Sequence, residues 1–436
     1  MKKVISGLSR EYKYIPIVLP ILILAALIYR YSVNVPVTDQ YEMIPLFQKL
    51  DHGTLTFANL WAQHNEHRIL FPSTYLLILA RLTHWNIRAE LISSFFIALG
   101  SFSALLLMLK RMKLTPLTTV CVAVAISFLF FSPIQQENWL WGWQIEWFMC
   151  IAAVLWSIYF LSKITQRIDK YFITAICFAI FASYCLASGL LIWVAGLLAL
   201  LILKASNKQY AVWSFAGAIA TFLYYWHYIN PPGEPSKKVF IHQPINFVKY
   251  FVAYIGAPVS SNAYIASIVG MIILITAAAC TYVLFKNKRL LKKYVVWLTL
   301  GFYIFLAGVV TAVGRLGLGL GGALSSRYTT FSVLFLISTI VILVGLLREK
   351  KLIIKSSVSA VSTLCVVMGV VGILVISSYY SGLQGMKTRS ILYRYIKSCS
   401  QVEVPSHTCL YQIYFPSTTI ALSRLNYLKQ KHYAGY

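Results

Sequence analysis

Acidic side chains are what this sequence has least of. Twelve Asp and Glu stand against 38 Lys and Arg in 436 residues, and charged residues of both signs make up only 11% of the chain. So little charge beside 59% hydrophobic residues excludes an ordinary soluble domain. Short segments of alternating apolar and polar residues are also missing, which excludes a transmembrane β-barrel. There is no internal repeat and no low-complexity tract. The first apolar run exits through YRYSVNVP (29–36) without a small-x-small cleavage site. The basic start MKKVISGLSREYKY therefore reads as the cytoplasmic flank of a retained span rather than as a signal peptide.

Long apolar runs are what the chain has instead. Runs of roughly 20 apolar residues, about the length a bilayer-spanning helix requires, recur throughout. Examples are YIPIVLPILILAALIY, AELISSFFIALGSFSALLLML and SVSAVSTLCVVMGVVGILVI. Helices satisfy their own backbone groups in lipid, so the expected fold is an all-α polytopic membrane protein. Alternation from a cytoplasmic start gives about eleven spans. They fall near 14–32, 88–109, 116–133, 145–162, 170–187, 189–204, 209–229, 261–285, 294–313, 328–347 and 356–379. The tightest turn falls at Ser188-Gly189. The run ILFPSTYLLILARL is short for a span and carries Arg81, so it reads as a helix lying at the outer face or dipping into it.

A net charge of +26 would suggest nucleic acid in a soluble protein. Here the basic clusters lie between spans: KRMK at 110–113, Lys163 with Arg167 and Lys170, KNKRLLKK at 286–293 and REKKLIIK at 348–355. That is the positive-inside pattern, and the partner it implies is the lipid bilayer, not nucleic acid. The layout puts nine of the twelve acids and all eight histidines on the outer side. Any acid–base or glycan chemistry is therefore expected there. Residues 1–380 are expected to form a multi-span membrane domain, with 33–87 as a first outer loop bearing juxtamembrane helices. Residues 381–436 are expected to form a small outer-face C-terminal segment. Of eight cysteines, only Cys399 and Cys409 fall outside the expected spans. In an oxidising compartment that pair is expected to close a small loop, with two free thiols as the alternative. The stretch NPPGEPSKK (230–238) reads as an outer loop from its prolines and glycine.

Three outer stretches hold the candidate chemistry. In the first loop, Met43, Ile44, Phe47 and Leu50 share one face of a helix starting at Asp39, with Gly53 placed to end it. Such a helix would rest on the membrane surface. Asp39 and Glu42 fit a capping box, which alone accounts for Asp39. The functional reading makes Asp39 a general base beside the membrane, taking a proton from an attacking hydroxyl. The adjoining HNEHR lacks the HExxH spacing of a zinc protease, so no metal is expected. His64, Glu66 and His67 read instead as a polar cluster for sugar hydroxyls or a phosphate. Arg68 is a candidate bidentate partner for a phosphate, with Glu66 or lipid headgroups as its ordinary partners.

The second loop, SPIQQENWLWGWQIEW, sets Glu137, Gln144 and Glu146 among Trp139, Trp141, Trp143 and Trp147. Interfacial tryptophans ordinarily form an aromatic belt. Four within thirteen residues (135–147), interleaved with amides and acids, exceed what anchoring requires. Aromatic faces stack on sugar C–H surfaces, so this reads as a carbohydrate-facing loop. Glu137, Trp139, Trp141, Trp143 and Gln144 join Glu42, His64, Glu66 and His67 as expected sugar contacts. The third stretch, GRLGLGLGGALSSRY (314–328), has no surrounding strand–helix unit and is not a dinucleotide fingerprint. It reads as a flexible or re-entrant loop flanked by Arg315 and Arg327. An arginine near the membrane is repaid by an anion such as a lipid phosphate, or by snorkelling to headgroups.

Many spans, outer-face helices and an acid soon after the first span together resemble the C-type (GT-C) membrane glycosyltransferases. Asp39 in VTDQYE is the matching position. In size and layout the chain is also similar to phage-type serotype-converting O-antigen glucosyltransferases. The resemblance implies a polyprenyl-phosphate-linked sugar donor, a glycan or lipopolysaccharide acceptor, inverting chemistry and no cofactor. It implies residence in the bacterial inner membrane, with the C-terminus on the periplasmic face. Family members often carry paired acids at this position; Gln40 follows Asp39 here, which tells against metal-dependent donor binding. The rival expectations are an O-antigen polymerase, relying on outer-loop arginines, and a non-enzymatic lipid-linked glycan flippase. The flippase would place charged or broken helices at the midplane, and the expected spans carry almost no charge.

Overall fold

The computed structural model describes residues 14–231, 239–349, 357–414 and 417–436. The basic start (1–13), most of the proline-rich loop (232–238), most of the basic run after Arg348 (350–356) and residues 415–416 lie outside the described residues. Among the described residues all regular structure is helical, apart from an isolated bridge between His64 and His67.

The chain opens with α1 (Ile15–Tyr31). A first loop follows, with a 3-10 turn at Thr38–Met43, then α2 (Ile44–Asp51), α3 (Phe57–Trp61) and α4 (Leu70–Thr83). Next come α5 (Ile87–Lys110) and α6 (Pro116–Phe130). A second loop, holding α7 (Gln136–Leu140) between two 3-10 turns, leads into α8 (Ile145–Leu161). The middle of the chain supplies α9 (Lys170–Ser183), α10 (Leu191–Leu203) and α11 (Asn207–Tyr225). After α12 (Val239–His242) come α13 (Pro244–Gly256), α14 (Ala263–Phe285), α15 (Lys288–Lys293), α16 (Val295–Arg315) and α17 (Ser326–Glu349). The chain closes with α18 (Ser357–Gln401), α19 (His407–Ile413) and α20 (Thr418–Lys431).

Short polar side chains start the helices where the expected spans begin. Asn86 caps α5, Thr115 caps α6 ahead of Pro116, Asp169 caps α9, and Asn262 caps α14, each accepting a backbone N–H. Ser206 and Gln209 form a reciprocal capping box at α11. All eleven expected segments coincide with helices. Among the described residues, six stretches are long and apolar enough to cross a membrane: Ile87–Lys110, Pro116–Leu140, Gly142–Leu161, Ala263–Phe285, Val295–Leu318 and Ser326–Glu349. With four shorter apolar helices beside them, they make a multi-pass membrane protein.

The α17 helix is buried almost throughout, packed by α16 on one side and by α13 and α14 on another, whereas α14 exposes most of its surface. On the other flank, α8 lies between α5 and α9. The loops meet at one end of this bundle. Trp141 Nε1 donates to the Val37 carbonyl at 3.3 Å, joining the second loop to the first. Asn138 Nδ2 donates to the Arg327 carbonyl at 2.9 Å, joining the second to the third.

Two expectations are corrected here, and a third feature bears on the expected domain boundary. The first-loop helix begins at Ile44, not Asp39, and its apolar face packs on protein rather than on the membrane. Phe47 lies edge-on to Trp85 and to Tyr433, with ring centroids 4.8 and 5.6 Å apart. The glycine-rich stretch forms two ordered 3-10 turns, Leu316–Leu318 and Leu320–Leu324, packed on α13. The boundary expected at 380 falls inside α18. That helix runs 45 residues, or ~67 Å at 1.5 Å per residue, about twice the hydrocarbon thickness of a bilayer.

Candidate functional site

The turn that carries Asp39 is fixed by its neighbours. Gln40 Oε1 accepts from Val37 N at 3.1 Å, and Gln40 Nε2 donates to Glu90 Oε2 at 2.7 Å. Trp85 Nε1 donates to the other Glu90 oxygen at 2.7 Å. Glu90, in the first turn of α5, is thereby satisfied while fully enclosed. Gly142 lies directly over it: a Cβ there would stand 1.9 Å from Glu90 Oε2. Only glycine lets the second loop close onto this buried acid. The capping-box expectation is overturned, because Val37 occupies the N-cap position and Gln40 closes the turn. Asp39 accepts no side-chain or backbone hydrogen bond from any described residue. Burial raises its pKa above the ordinary aspartate value, against the opposing pull of His64 and Arg327.

The HNEHR segment makes a tight reversal. His64 and His67 exchange two backbone hydrogen bonds of 2.8 Å, with Asn65 in the left-handed region at φ 47°. Ala187 N donates to His67 Nδ1 at 3.3 Å, which leaves the ring proton on Nε2, 3.5 Å from Glu66 Oε1. The same Glu66 oxygen is ion-paired with Arg315 from the end of α16. Burial pushes the His67 pKa down to about 4 and lowers that of His64 as well, so both rings are neutral near pH 7. Burial alone would raise Glu66, but His67 and Arg315 hold it below its ordinary value. His64 rests on Trp143, with centroids 4.9 Å apart.

These groups line one cavity of about 570 Å³. Its polar wall carries Asp39, His64, Glu66 and His67 from the first loop, and Trp143, Gln144, Glu146 and Trp147 from the second. Arg315 and Arg327 face them from the third, with Tyr225, Tyr228 and Asn230 from the end of α11 and beyond. The wall continues along α16 through Val313, Thr311 and Val310 to Ala307, a mostly apolar strip ~9 Å long. Val310 is 52% exposed on that strip. Arg327 Nε is buried without a hydrogen-bond partner. Among the described residues, no three His, Cys, Asp or Glu side chains converge to hold a metal ion.

Several expected site residues are engaged elsewhere. Arg68 donates to three backbone carbonyls: from Nε to Tyr224 at 2.5 Å, from Nη1 to Trp61 at 2.8 Å, and from Nη2 to Trp226. Its guanidinium is a clamp between α3 and the end of α11, with three of its five N–H groups given to backbone carbonyls. Trp139 and Trp141 point inward and donate to the carbonyls of Ser132 and Val37. Neither lines the cavity. Glu137 accepts from Ser325 and Ser326 and faces Arg389 at 3.9 Å, so it braces the third loop rather than touching a sugar. Glu42 turns to the C-terminal segment, where Tyr414 and Arg424 bind it. Burial would raise its pKa, but these two partners hold it below the ordinary glutamate value.

Other lining residues went unpredicted. Glu146 sits in the quoted second-loop run, but the pattern gives no reason to prefer it over Glu137. Tyr225, Tyr228 and Asn230 carry no local signal and reach the cavity only through the packing of α11. Sulfur atoms of Cys399 and Cys409 are joined, across a Cα separation of 6.0 Å. Compared with known proteins, the chain matches no protein-family model and no curated protein sequence.

Proposed function

We propose that this chain is an inverting membrane glycosyltransferase, moving a sugar from a polyprenyl-phosphate donor to a cell-surface glycan such as O-antigen. In this reading all eleven segments span the bacterial inner membrane and the cavity opens on its periplasmic face. One observation carries it. A carboxylate that accepts no hydrogen bond from the described residues, Asp39, shares a cavity with two arginines and an apolar strip along α16.

Each part of that arrangement matches a need of the reaction. The lipid tail of the donor follows the apolar strip past the exposed Val310. Its phosphate meets Arg327, whose Nε has no protein partner, with Arg315 beside it. The acceptor hydroxyl gives its proton to Asp39 as its oxygen bonds to the anomeric carbon. The bond from that carbon to the phosphate oxygen breaks, and the phosphate departs with its electron pair. Arginines neutralise the departing charge, so no acid is required on that side. A raised pKa makes Asp39 a stronger base than an ordinary aspartate.

The test is mass spectrometry of surface glycans from cells expressing wild type or Asp39→Asn at equal membrane levels, in a host with a defined O-antigen. A hexose-sized mass gain with wild type, lost in Asp39→Asn, is the expected result. Longer O-antigen chains without a new substituent would identify a polymerase instead.

A further inference from the structure

We infer that Glu146 and Gln144 form a subsite for the ring hydroxyls of the transferred sugar, and that this subsite rejects a sugar bearing a carboxylate. The inference rests on the glycosyltransferase reading and extends it to the class of donor.

Both side chains line the cavity from the turn that opens α8. Both are more than nine-tenths buried, Gln144 at 2% and Glu146 at 5% exposure. Among the described residues, nothing donates to Gln144 Oε1 or Glu146 Oε2, nor to Glu66 Oε2 in the same cavity lining. Buried oxygens of this kind are seldom left unmatched. A helix N-terminus tolerates an acid such as Glu146 on electrostatic grounds, but that does not account for a buried oxygen left unmatched in a residue of the cavity lining.

The wall is rich in acceptors, so its complement is a ligand rich in donors, and sugar hydroxyls supply them. Its charge narrows the class further. The electrostatic neighbours of Glu146 are the carboxylates of Asp39 and Glu66 and the guanidinium of Arg327. With Arg327 occupied by the donor phosphate and Arg315 already paired with Glu66, a uronic acid would set its carboxylate beside those of Asp39 and Glu66. Repulsion of that sort is how a site excludes a near-identical substrate.

The test uses purified full-length protein in lipid nanodiscs and three probes: a polyprenyl-phosphate hexose, the matching hexuronate and bare polyprenyl phosphate. Equilibrium binding is read by native mass spectrometry. Wild type should bind the hexose lipid more tightly than the bare lipid, and the hexuronate no more tightly than the bare lipid. Glu146→Ala should reduce the hexose advantage roughly ten- to hundred-fold, the range of a hydrogen bond to a charged group. Affinity for the bare lipid should stay the same. Gln144→Met should give a smaller loss, in protein with wild-type melting behaviour. A full hexose advantage in Glu146→Ala, or equal binding of hexose and hexuronate by wild type, overturns the subsite alone. Wild type that prefers no sugar-bearing lipid over the bare one overturns the glycosyltransferase reading with it.

Discussion

Arg68 and Arg327 carry the same guanidinium into the same end of the molecule and meet opposite surroundings. Arg68 gives all three nitrogens to the carbonyls of Trp61, Tyr224 and Trp226, whereas Arg327 keeps a buried Nε without a partner among the described residues. Arg68→Leu strands three carbonyls and should destabilise the protein by on the order of 3 kcal/mol, seen as a lowered melting temperature in detergent. Arg327→Leu should leave melting nearly unchanged and weaken binding of a polyprenyl phosphate at least tenfold. Equal melting losses in both would contradict this division. The sequence offers the two arginines on equal terms, since what separates them is contact with residues more than 150 positions away. The same holds among the tryptophans. Breaks between helix and 3-10 turn from Pro133 to Gln144 decide that Trp143 faces the cavity while Trp139 and Trp141 face the core. No periodicity in SPIQQENWLWGWQIEW encodes those breaks.

At the scale of elements, the helices were legible because composition dictates them. Apolar runs of membrane length, punctuated by Asn, Thr, Asp and Ser caps, leave the backbone few alternatives in lipid. Less legible is how the first and second loops meet, because that depends on a buried glutamate inside an apolar run. Glu90 is the hub: Gln40 and Trp85 bind its two oxygens, and Gly142 packs against it. Gly142→Ala should therefore push the second loop away, costing about 1–3 kcal/mol as an overpacked site. It should also reduce transfer, because Trp143, Gln144 and Glu146 follow directly in sequence. Melting and activity assays on one preparation check both effects. An alanine variant as stable and active as wild type would show that this close contact is not required.

Across the whole molecule, the C-terminal segment closes over the first loop. Arg424 and Tyr414 hold Glu42, while Tyr427 and Lys431 reach Asp51 at 2.7 and 2.9 Å. Tyr433 adds its ring beside Phe47 and Trp85. The partners of Glu42 lie 372 and 382 residues away in the chain, so no local pattern in the first loop announces them. The Cys399–Cys409 bond closes a small loop within this segment, a constraint worth about 2–3 kcal/mol for a loop of this size. Cys399→Ser should loosen the segment, seen as faster limited proteolysis after residue 400, and lower transfer by way of the first loop. Unchanged proteolysis would mean that the ion pairs alone hold the segment in place.

The central claim is that Asp39 takes the acceptor proton inside this cavity. Its most direct test is the rate of hexose transfer against pH in proteoliposomes supplied with a polyprenyl-phosphate hexose and a defined glycan acceptor, for wild type and Asp39→Asn. The active form is the ionised carboxylate, and its pKa lies above the ordinary value. The wild-type rate should therefore fall as pH drops through that raised pKa, at a higher pH than an unperturbed aspartate would give. Asp39→Asn should be slower by roughly 10²–10⁴-fold, the usual contribution of a general base, and should lose the acid limb. Transfer by Asp39→Asn at the wild-type rate, with the same acid limb, would contradict the account.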